Sequence, residues 1–454
     1  MGAAPGGAEP GAGRGARGAA VSDAFDDALA LANGPTTTAA APPRPAAPAD
    51  GRPPLAPELD DPPAAGADHP AWPRARALAW RAARPLPPRR LPLEHTVGHA
   101  LAAPLTALTD LPAFDTSAMD GWAVAGPGPW RPADGPPALA GGPLAAPLAD
   151  GRAVPVATGA RVPEGTTGVL RAEHGRLVGG QLTGPTPGPG QDIRPRGQEC
   201  RSGTELLPAG AVLTPAALGL AAAAGYDQLA VRPRPRVEVL VLGDELLFRG
   251  LPHDGRVRDA LGPMIGPWLA ALGGQLLVTR RLGDDAEALR EAVTTTGADL
   301  VVSTGSTAAG PVDLLRGTLA DLGARPLVSG VAVRPGHPML LAELPGGTPL
   351  VGLPGNPLAA VSGLLTLAAP LLCALTGRPL PEPRTARLTE RVTGHPADTR
   401  LVPVAWSAPA EVSPLSYAGP AMLRGIAAAT ALAVIPPGGA PAHAEVALLD
   451  LPPA

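Results

Sequence analysis

A chain of 454 residues is longer than one ordinary hydrophobic core organises, so several domains are expected. Its 36 basic and 40 acidic residues leave a net charge of −4, which lacks the cationic excess used by counterion-driven nucleic-acid binding and excludes that partner class. Two cysteines, Cys200 and Cys373, exclude a disulfide framework and any four-thiolate metal site, and the absence of lysine excludes chemistry needing a side-chain amine.

In chain order, residues 1–70 are rich in Ala, Gly and Pro, bury too little apolar surface to offset ordering entropy, and are expected to form a disordered tail. Within it the acidic stretch 21–33 reads as a transient helix. The first ten residues lack a charged segment followed by an apolar run, so a cytoplasmic protein is expected. Trp72 followed by Pro73 opens a helix that ends before Pro85-Leu86-Pro87-Pro88, and 91–102 read as a second short helix after Pro92. Residues 111–196 change to short apolar runs punctuated by Gly and Pro, the pattern of a small β domain. Thr214-Pro215 then opens another helix closed by Gly225. Segments 71–112 and 197–236 thus make a discontinuous helical and linker domain into which the β domain, 113–196, is inserted.

After the proline-rich hinge 231–236, strands and helices alternate. Strands are expected at 237–242, 275–282, 300–303 and around Val328, Leu341 and Leu350; helices are expected at 261–272, 285–296, 313–322 and from Pro357. Continuous apolar strands separated by helices predict a mainly parallel α/β sandwich over 237–380. Residues 358–375 are uncharged and reach the length of a membrane-span candidate. Ser362, Thr366 and Pro370 inside the run, with Asn356-Pro357 before it and Gly377 after it, instead predict a helix buried on the sheet, and no membrane partner. The remainder, 381–454, returns to short strands and reads as a C-terminal β domain.

Ligands of a parallel sheet gather beyond the carboxyl ends of its strands. Four loops there are chemically unusual: Gly243-Asp244-Glu245, Gly283-Asp284-Asp285, the stretch from Thr304 to Asp313, and Leu353-Pro354-Gly355-Asn356-Pro357. In the third, Thr304, Gly305, Ser306, Thr307 and Gly310 offer backbone N–H groups and hydroxyls ahead of a helix, an arrangement able to cradle phosphate oxygens. Acidic turns meeting at one sheet edge raise one another's pKa unless a cation sits among them, and Mg²⁺ is the natural guest. Asp284 and Asp313 could serve as helix caps instead, but Glu245 has no such role. Arg334-Pro335-Gly336-His337-Pro338 follows a strand and would direct a guanidinium and an imidazole at an anion.

These loops and the β segment together resemble the molybdopterin molybdenumtransferase family, which includes the C-terminal domain of gephyrin. The resemblance rests on Phe114-Asp115-Thr116-Ser117-Ala118-Met119-Asp120-Gly121-Trp122-Ala123, then Ala157-Thr158-Gly159-Ala160 and Val162-Pro163-Glu164-Gly165. It continues through Gly190-Gln191-Asp192-Ile193-Arg194, Gly243-Asp244-Glu245-Leu246, Arg334-Pro335-Gly336 and Leu353-Pro354-Gly355-Asn356-Pro357. It implies an elongated four-domain homodimer that inserts molybdate into adenylylated molybdopterin with Mg²⁺ assisting and AMP released. The active site is implied between the α/β domain of one subunit and the small β domain of the other. By the same resemblance Asp120, Glu245, Asp284 and Asp313 serve the reaction, and Glu199, Glu245 and Asp284 the metal. Thr158, Gly159, the Thr304–Gly310 cradle, Arg334, His337 and the turn Pro354 to Pro357 hold the ligand. Partners implied are molybdopterin adenylyltransferase and molybdoenzyme apoproteins.

The chain departs from that family at several positions. Ser306 stands where a glycine is usual, Ala308 where a serine is usual, and Leu261 where a polar residue is usual. Arg334 and His337 stand where lysines are usual, and Glu199 where aspartate is; arginine keeps the charge, whereas a neutral imidazole does not. The leading expectation is therefore the transferase, with a non-catalytic molybdopterin-binding carrier or scaffold paralogue as the alternative.

Overall fold

The computed structural model describes residues 69–143, 145–305, 307 and 314–452. The tail expected over 1–70, apart from His69 and Pro70, and the helix expected at 21–33 lie outside the described residues. Pro70 and His69 are themselves tied to the body: the Ala332 N–H donates to the Pro70 carbonyl at 3.0 Å, and the His69 ring meets the His337 ring edge-on at 4.4 Å between centroids.

The α/β domain is built on a six-stranded sheet in the order Gln275–Leu282, Arg236–Leu242, Leu300–Thr304, Pro349–Leu353, Leu340–Glu343, Arg325–Val328. The first four strands are mutually parallel and the last two antiparallel. The turn between Glu343 and Pro349 is too short for a crossover helix, so the chain can only fold back on itself there. Side-chain alternation splits the core in two. Val237, Val239 and Val241 join Ile265 and Leu269 and the helical run from Leu358 on one face, while Leu240 and Leu242 join Leu289, Val293, Leu315 and Leu319 on the other.

The apolar run expected to cover the sheet does so. Pro357–Leu375 is long and apolar enough to cross a membrane, with a mean hydropathy of 2.2, but 94 % of it is buried inside the protein. It is α-helical over Pro357–Gly363 and Ala369–Leu375 with a π-helical turn, Leu364–Ala368, between. A π turn releases backbone carbonyls from the regular ladder, and here the first helix, Trp72–Arg81, docks on it. Trp72 Nε1 donates to Thr366 Oγ1 at 3.1 Å and Arg76 Nη1 to the Leu365 carbonyl at 2.6 Å. Trp72, Ala75 and Ala79 accordingly lie in the α/β core, not against the segment that follows them in sequence.

That following segment differs from the expectation. Residues 91–102 do not form a helix: Arg89–Pro92 and Ala100–Leu101 are strands on either side of Gln228–Arg232, joined by a 3-10 turn at Leu93–His95. Val97, Gly98 and Pro92 make this a weak helix, and pairing with a strand well over a hundred residues away decides the outcome. The same sub-core, containing Leu101, Leu105, Leu213, Leu229 and Val231, takes in the helix Pro215–Ala223, whose Thr214 cap accepts from the Ala217 N–H at 3.1 Å. Between these halves lies a four-stranded sheet, Arg131–Pro132, Arg152–Val156, Gly121–Val124 and Gly168–Arg171. At the C-terminus Thr399–Ala408, Glu411–Pro414, Arg384–Leu388, Glu445–Asp450 and Ala431–Ile435 close into a small barrel, since the last pairs back with the first. The α/β domain contributes Val333–Arg334 as an extra strand alongside Thr399 and Arg400. That pairing stitches the two domains along a seam.

Candidate functional site

The carboxyl ends of the parallel strands carry an acidic corner. After Arg236–Leu242, Gly243 turns so that the Glu245 carboxylate folds back over it, while Asp244 Oδ1 accepts the Asp284 N–H at 3.3 Å. Asp244, Glu245 and Asp284 are all solvent-exposed. The capping role belongs to the next residue: Asp285 Oδ1 accepts from the Glu287 and Ala288 N–H groups at 2.9 and 3.1 Å and starts the helix Ala286–Thr294. Asp284 is therefore left free for a ligand.

Next to this corner, Gly305 follows the central strand at φ +85° and donates its N–H to the Leu353 carbonyl at 2.9 Å. A Cβ at Gly305 would come within 3.0 Å of the Leu242 carbonyl oxygen, and one at Gly355 would sit 3.7 Å from Gly305 Cα. The two glycine turns thus press together at the sheet edge, with Thr304 and Thr307 buried behind them. Ser306, Gly310 and Asp313 lie outside the described residues.

Beyond Pro354 the edge opens into a cavity of about 600 Å³ between the α/β domain and the barrel. Arg334, His337, Pro354 and Asn356 line it from one side, and Arg400, Tyr417 and Met422 from the other. Arg334 Nε donates to Asp398 Oδ2 at 2.8 Å, and Arg400 Nη1 to the Thr393 carbonyl at 2.7 Å. His337 is held below its ordinary pKa, first by burial and then by the His69 ring and the Arg334 and Arg316 guanidinium groups, against the opposing pull of Asp398. Its imidazole is neutral near pH 7, so arginine supplies the cavity's positive charge. Pro357 begins the helix within reach of this cavity, and the next residue, Leu358, donates its N–H to Pro420 of the barrel at 2.9 Å.

In the small β domain Asp120 Oδ1 accepts the Thr158 N–H at 2.7 Å, and the Gly159 N–H donates to the Ser117 carbonyl at 2.8 Å. The two motifs that contain Asp120, Thr158 and Gly159 therefore form one exposed surface. Glu199 lies elsewhere, in a turn where its N–H donates to the Leu111 carbonyl at 2.9 Å. Among the described residues no three His, Cys, Asp or Glu side chains group closely enough to hold a metal ion, so Glu199, Glu245 and Asp284 do not form a cluster within one chain. The acidic corner formed by Asp244, Glu245 and Asp284 still fits Mg²⁺, which keeps several waters and takes one or two carboxylates together with substrate phosphates.

Several side chains here carried little sequence signal. Arg316 Nε and Nη2 reach the Thr307 and Pro338 carbonyls at 3.4 and 3.3 Å, tying the glycine cradle to the Arg334 turn. Its place in the first turn of the helix after the cradle was the available clue. His69, Asp398, Arg400 and Tyr417 come from segments that read only as tail or as short strands, and tertiary folding alone brings them to the cavity.

Three family models match in order: the MoeA N-terminal region (domain I and II) over residues 72–225, the probable molybdopterin binding domain over 238–374, and the MoeA C-terminal region (domain IV) over 385–447. Molybdopterin molybdenumtransferase 2 of Mycobacterium tuberculosis is 33 % identical over 386 residues, covering 77 % of this chain and 91 % of the relative. The molybdopterin molybdenumtransferase of Synechococcus elongatus is 34 % identical over 313 residues, covering 64 % and 76 %. In fold, a molybdopterin biosynthesis MoeA structure from Pyrococcus horikoshii superposes with a TM-score of 0.70 at 24 % identity, over 85 % of this chain and 99 % of that one. From motifs, matched domains and full-length relatives together, this chain belongs to the molybdopterin molybdenumtransferase family.

Proposed function

We propose that the protein inserts molybdate into adenylylated molybdopterin and releases AMP, as a cytoplasmic homodimer assisted by Mg²⁺. The observation that carries this reading is the adjacency of three different chemistries along one sheet edge: exposed carboxylates, paired glycine turns and an arginine-lined cavity.

Each suits one part of the substrates. The backbone N–H groups around Gly305 and Gly355 would donate to phosphate oxygens, and Gly305 allows the approach because a side chain there would meet the Leu242 carbonyl. Arg334 and Arg400 attract the molybdate oxyanion, and Arg316 keeps cradle and cavity at a fixed spacing. Glu245 and Asp284 would hold Mg²⁺, which supplies charge neutralisation at the phosphoanhydride. Cleavage of that anhydride needs oriented groups and excluded water more than a covalent nucleophile. Asp120 and Thr158 of a second subunit would close the site over the ligand, and molybdopterin adenylyltransferase and apo-molybdoenzymes are the partners upstream and downstream. The test is to incubate the purified protein with adenylylated molybdopterin, molybdate and Mg²⁺ and to follow AMP release and cofactor metallation. Folded dimer that releases no AMP defeats the proposal.

A second reading is a carrier that binds the cofactor without turnover. It is favoured by Leu261, which fills the apolar core at the start of the helix Leu261–Ala271 instead of presenting a polar group. Tight cofactor binding without AMP release would establish it.

A further inference from the structure

A second cavity lies away from this edge, where the first helix, the long buried helix and the barrel meet. It measures about 250 Å³ and is walled mainly by apolar groups, among them Leu272, Leu380 and Leu449. Of the charged side chains in its lining, Arg76 is the one that is buried. Arg76 is only 8 % exposed, its guanidinium sits 5.2 Å over the Trp72 ring, and its hydrogen bond goes to the neutral Leu365 carbonyl. Among the described residues no carboxylate makes an ion pair with it. A buried charge without a counter-ion costs several kcal/mol, so such a group is normally paired.

The neighbours do not supply the missing anion. Burial pushes the Cys373 thiol pKa up, which keeps it neutral. Arg378, also on the wall, adds a second guanidinium, bonded to Thr376 Oγ1 and the Leu272 carbonyl. Glu382 stands exposed at the rim, where it acts on Arg76 electrostatically without pairing with it, and Asp450 is engaged by Arg384, which also lines the cavity. A deep positive charge, apolar walls and acidic groups at the mouth favour a monoanion with an apolar body over a multiply charged phosphate.

From these features we propose that the cavity at the three-way junction binds a short-chain organic carboxylate, its carboxylate on Arg76 and its hydrocarbon against Leu272, Leu380 and Leu449. Occupancy fixes the first helix, the buried helix and the barrel to one another. The site is separate from the substrate edge, so its fate does not depend on the transferase reading.

The probe is butyrate, added to the full-length protein, with the uncharged isostere butyramide as control. Saturable binding is followed by equilibrium dialysis of labelled probe and by melting temperature. Butyrate is expected to bind at one site per chain and raise the melting temperature, and butyramide to do neither. Ala369→Leu, which fills the cavity from the long helix, should weaken butyrate about tenfold or more while leaving the unliganded protein as stable as before. Arg76→Leu should abolish binding, and Glu382→Gln should tighten it a few-fold by removing a negative charge from the rim. Absence of saturable binding, equal effects of butyramide, or unchanged butyrate affinity in Ala369→Leu would each overturn the proposal. So would a loss of stability in unliganded Glu382→Gln, because Glu382 would then be the counter-ion of Arg76.

Discussion

The acidic corner and the arginine seam are built from opposite principles although they lie along one sheet edge. At the corner, Asp244, Glu245 and Asp284 stand in solvent on glycine turns, with no ion pair among the described residues. At the seam, every cation is already engaged: Arg334 by Asp398, Arg400 by a carbonyl, Arg316 by two carbonyls, and His337 is kept neutral by burial. Exposed like charges cost little until a ligand excludes water, whereas cations in a cavity must be held by the fold beforehand. The corner therefore depends on what it binds, and the seam on how it is packed. Substitutions should separate the two.

The largest effect is expected at the seam's backbone. Gly336 has φ +113°, and a Cβ there would sit 2.8 Å from Met339 Cε and 3.2 Å from the Ala359 carbonyl oxygen. Gly336→Val should cost roughly 3 kcal/mol of stability through strain and overpacking, and displacement of Arg334 should reduce turnover by about a hundredfold. At the corner, a Cβ on Gly283 meets only the movable Asp244 carboxylate. Gly283→Ala should leave the denaturation midpoint nearly unchanged. Equal destabilisation of both variants would erase the distinction drawn above.

Next in size is the corner's chemistry. Glu245→Gln keeps shape and exposure, so the melting curve should not move, while AMP release falls about a hundredfold through loss of charge placed for the transition state. Asp285→Ala should behave oppositely, costing about 1 kcal/mol as a lost helix cap with turnover retained. Activity retained in Glu245→Gln would remove that residue from the site.

These contrasts also mark what the sequence could and could not reveal. Strand and helix order in the α/β domain was legible because the central strands are continuous and apolar, although the edge strand Gln275–Leu282 is largely exposed and carries Arg280 and Arg281. Motif spacing likewise singled out Glu245, Asp284 and Arg334, which stand at the exposed corner and in the cavity lining. Three things were hidden for physical reasons. The strand Arg89–Pro92 exists because of a partner at Gln228–Arg232, which no local pattern encodes. The cap at Asp285 and the freedom of Asp284 differ by one residue, finer than helix boundaries can be read. Asp398 and Arg400 sit beside the two-residue strand of the α/β domain that pairs with the barrel, and Tyr417 comes from a loop between barrel strands, placements that no local pattern encodes.

A smaller effect is expected from Asp398→Asn. It removes the counter-ion of Arg334 without changing shape, so oxyanion affinity at the seam should rise several-fold; Arg334→Met should lower it. Isothermal titration with sulfate as the probe oxyanion distinguishes these directions. Weaker binding in Asp398→Asn would mean that Asp398 positions Arg334 rather than competing for it.

The smallest effect concerns His337 and pH. Its folded pKa lies below the ordinary value near 6.5, principally because the ring is buried. Between the two values the unfolded chain binds more protons, so lowering pH through that window reduces stability, and the loss levels off below the folded value. Above the window His337 contributes no pH dependence. Over the same window the imidazolium that forms adds a charge to the seam, so sulfate binding should strengthen as stability declines. His337→Gln should remove both trends together, which separates this histidine from His69 and His395 nearby. If the variant keeps the wild-type pH profile of sulfate binding, the seam's charge is set by its arginines alone.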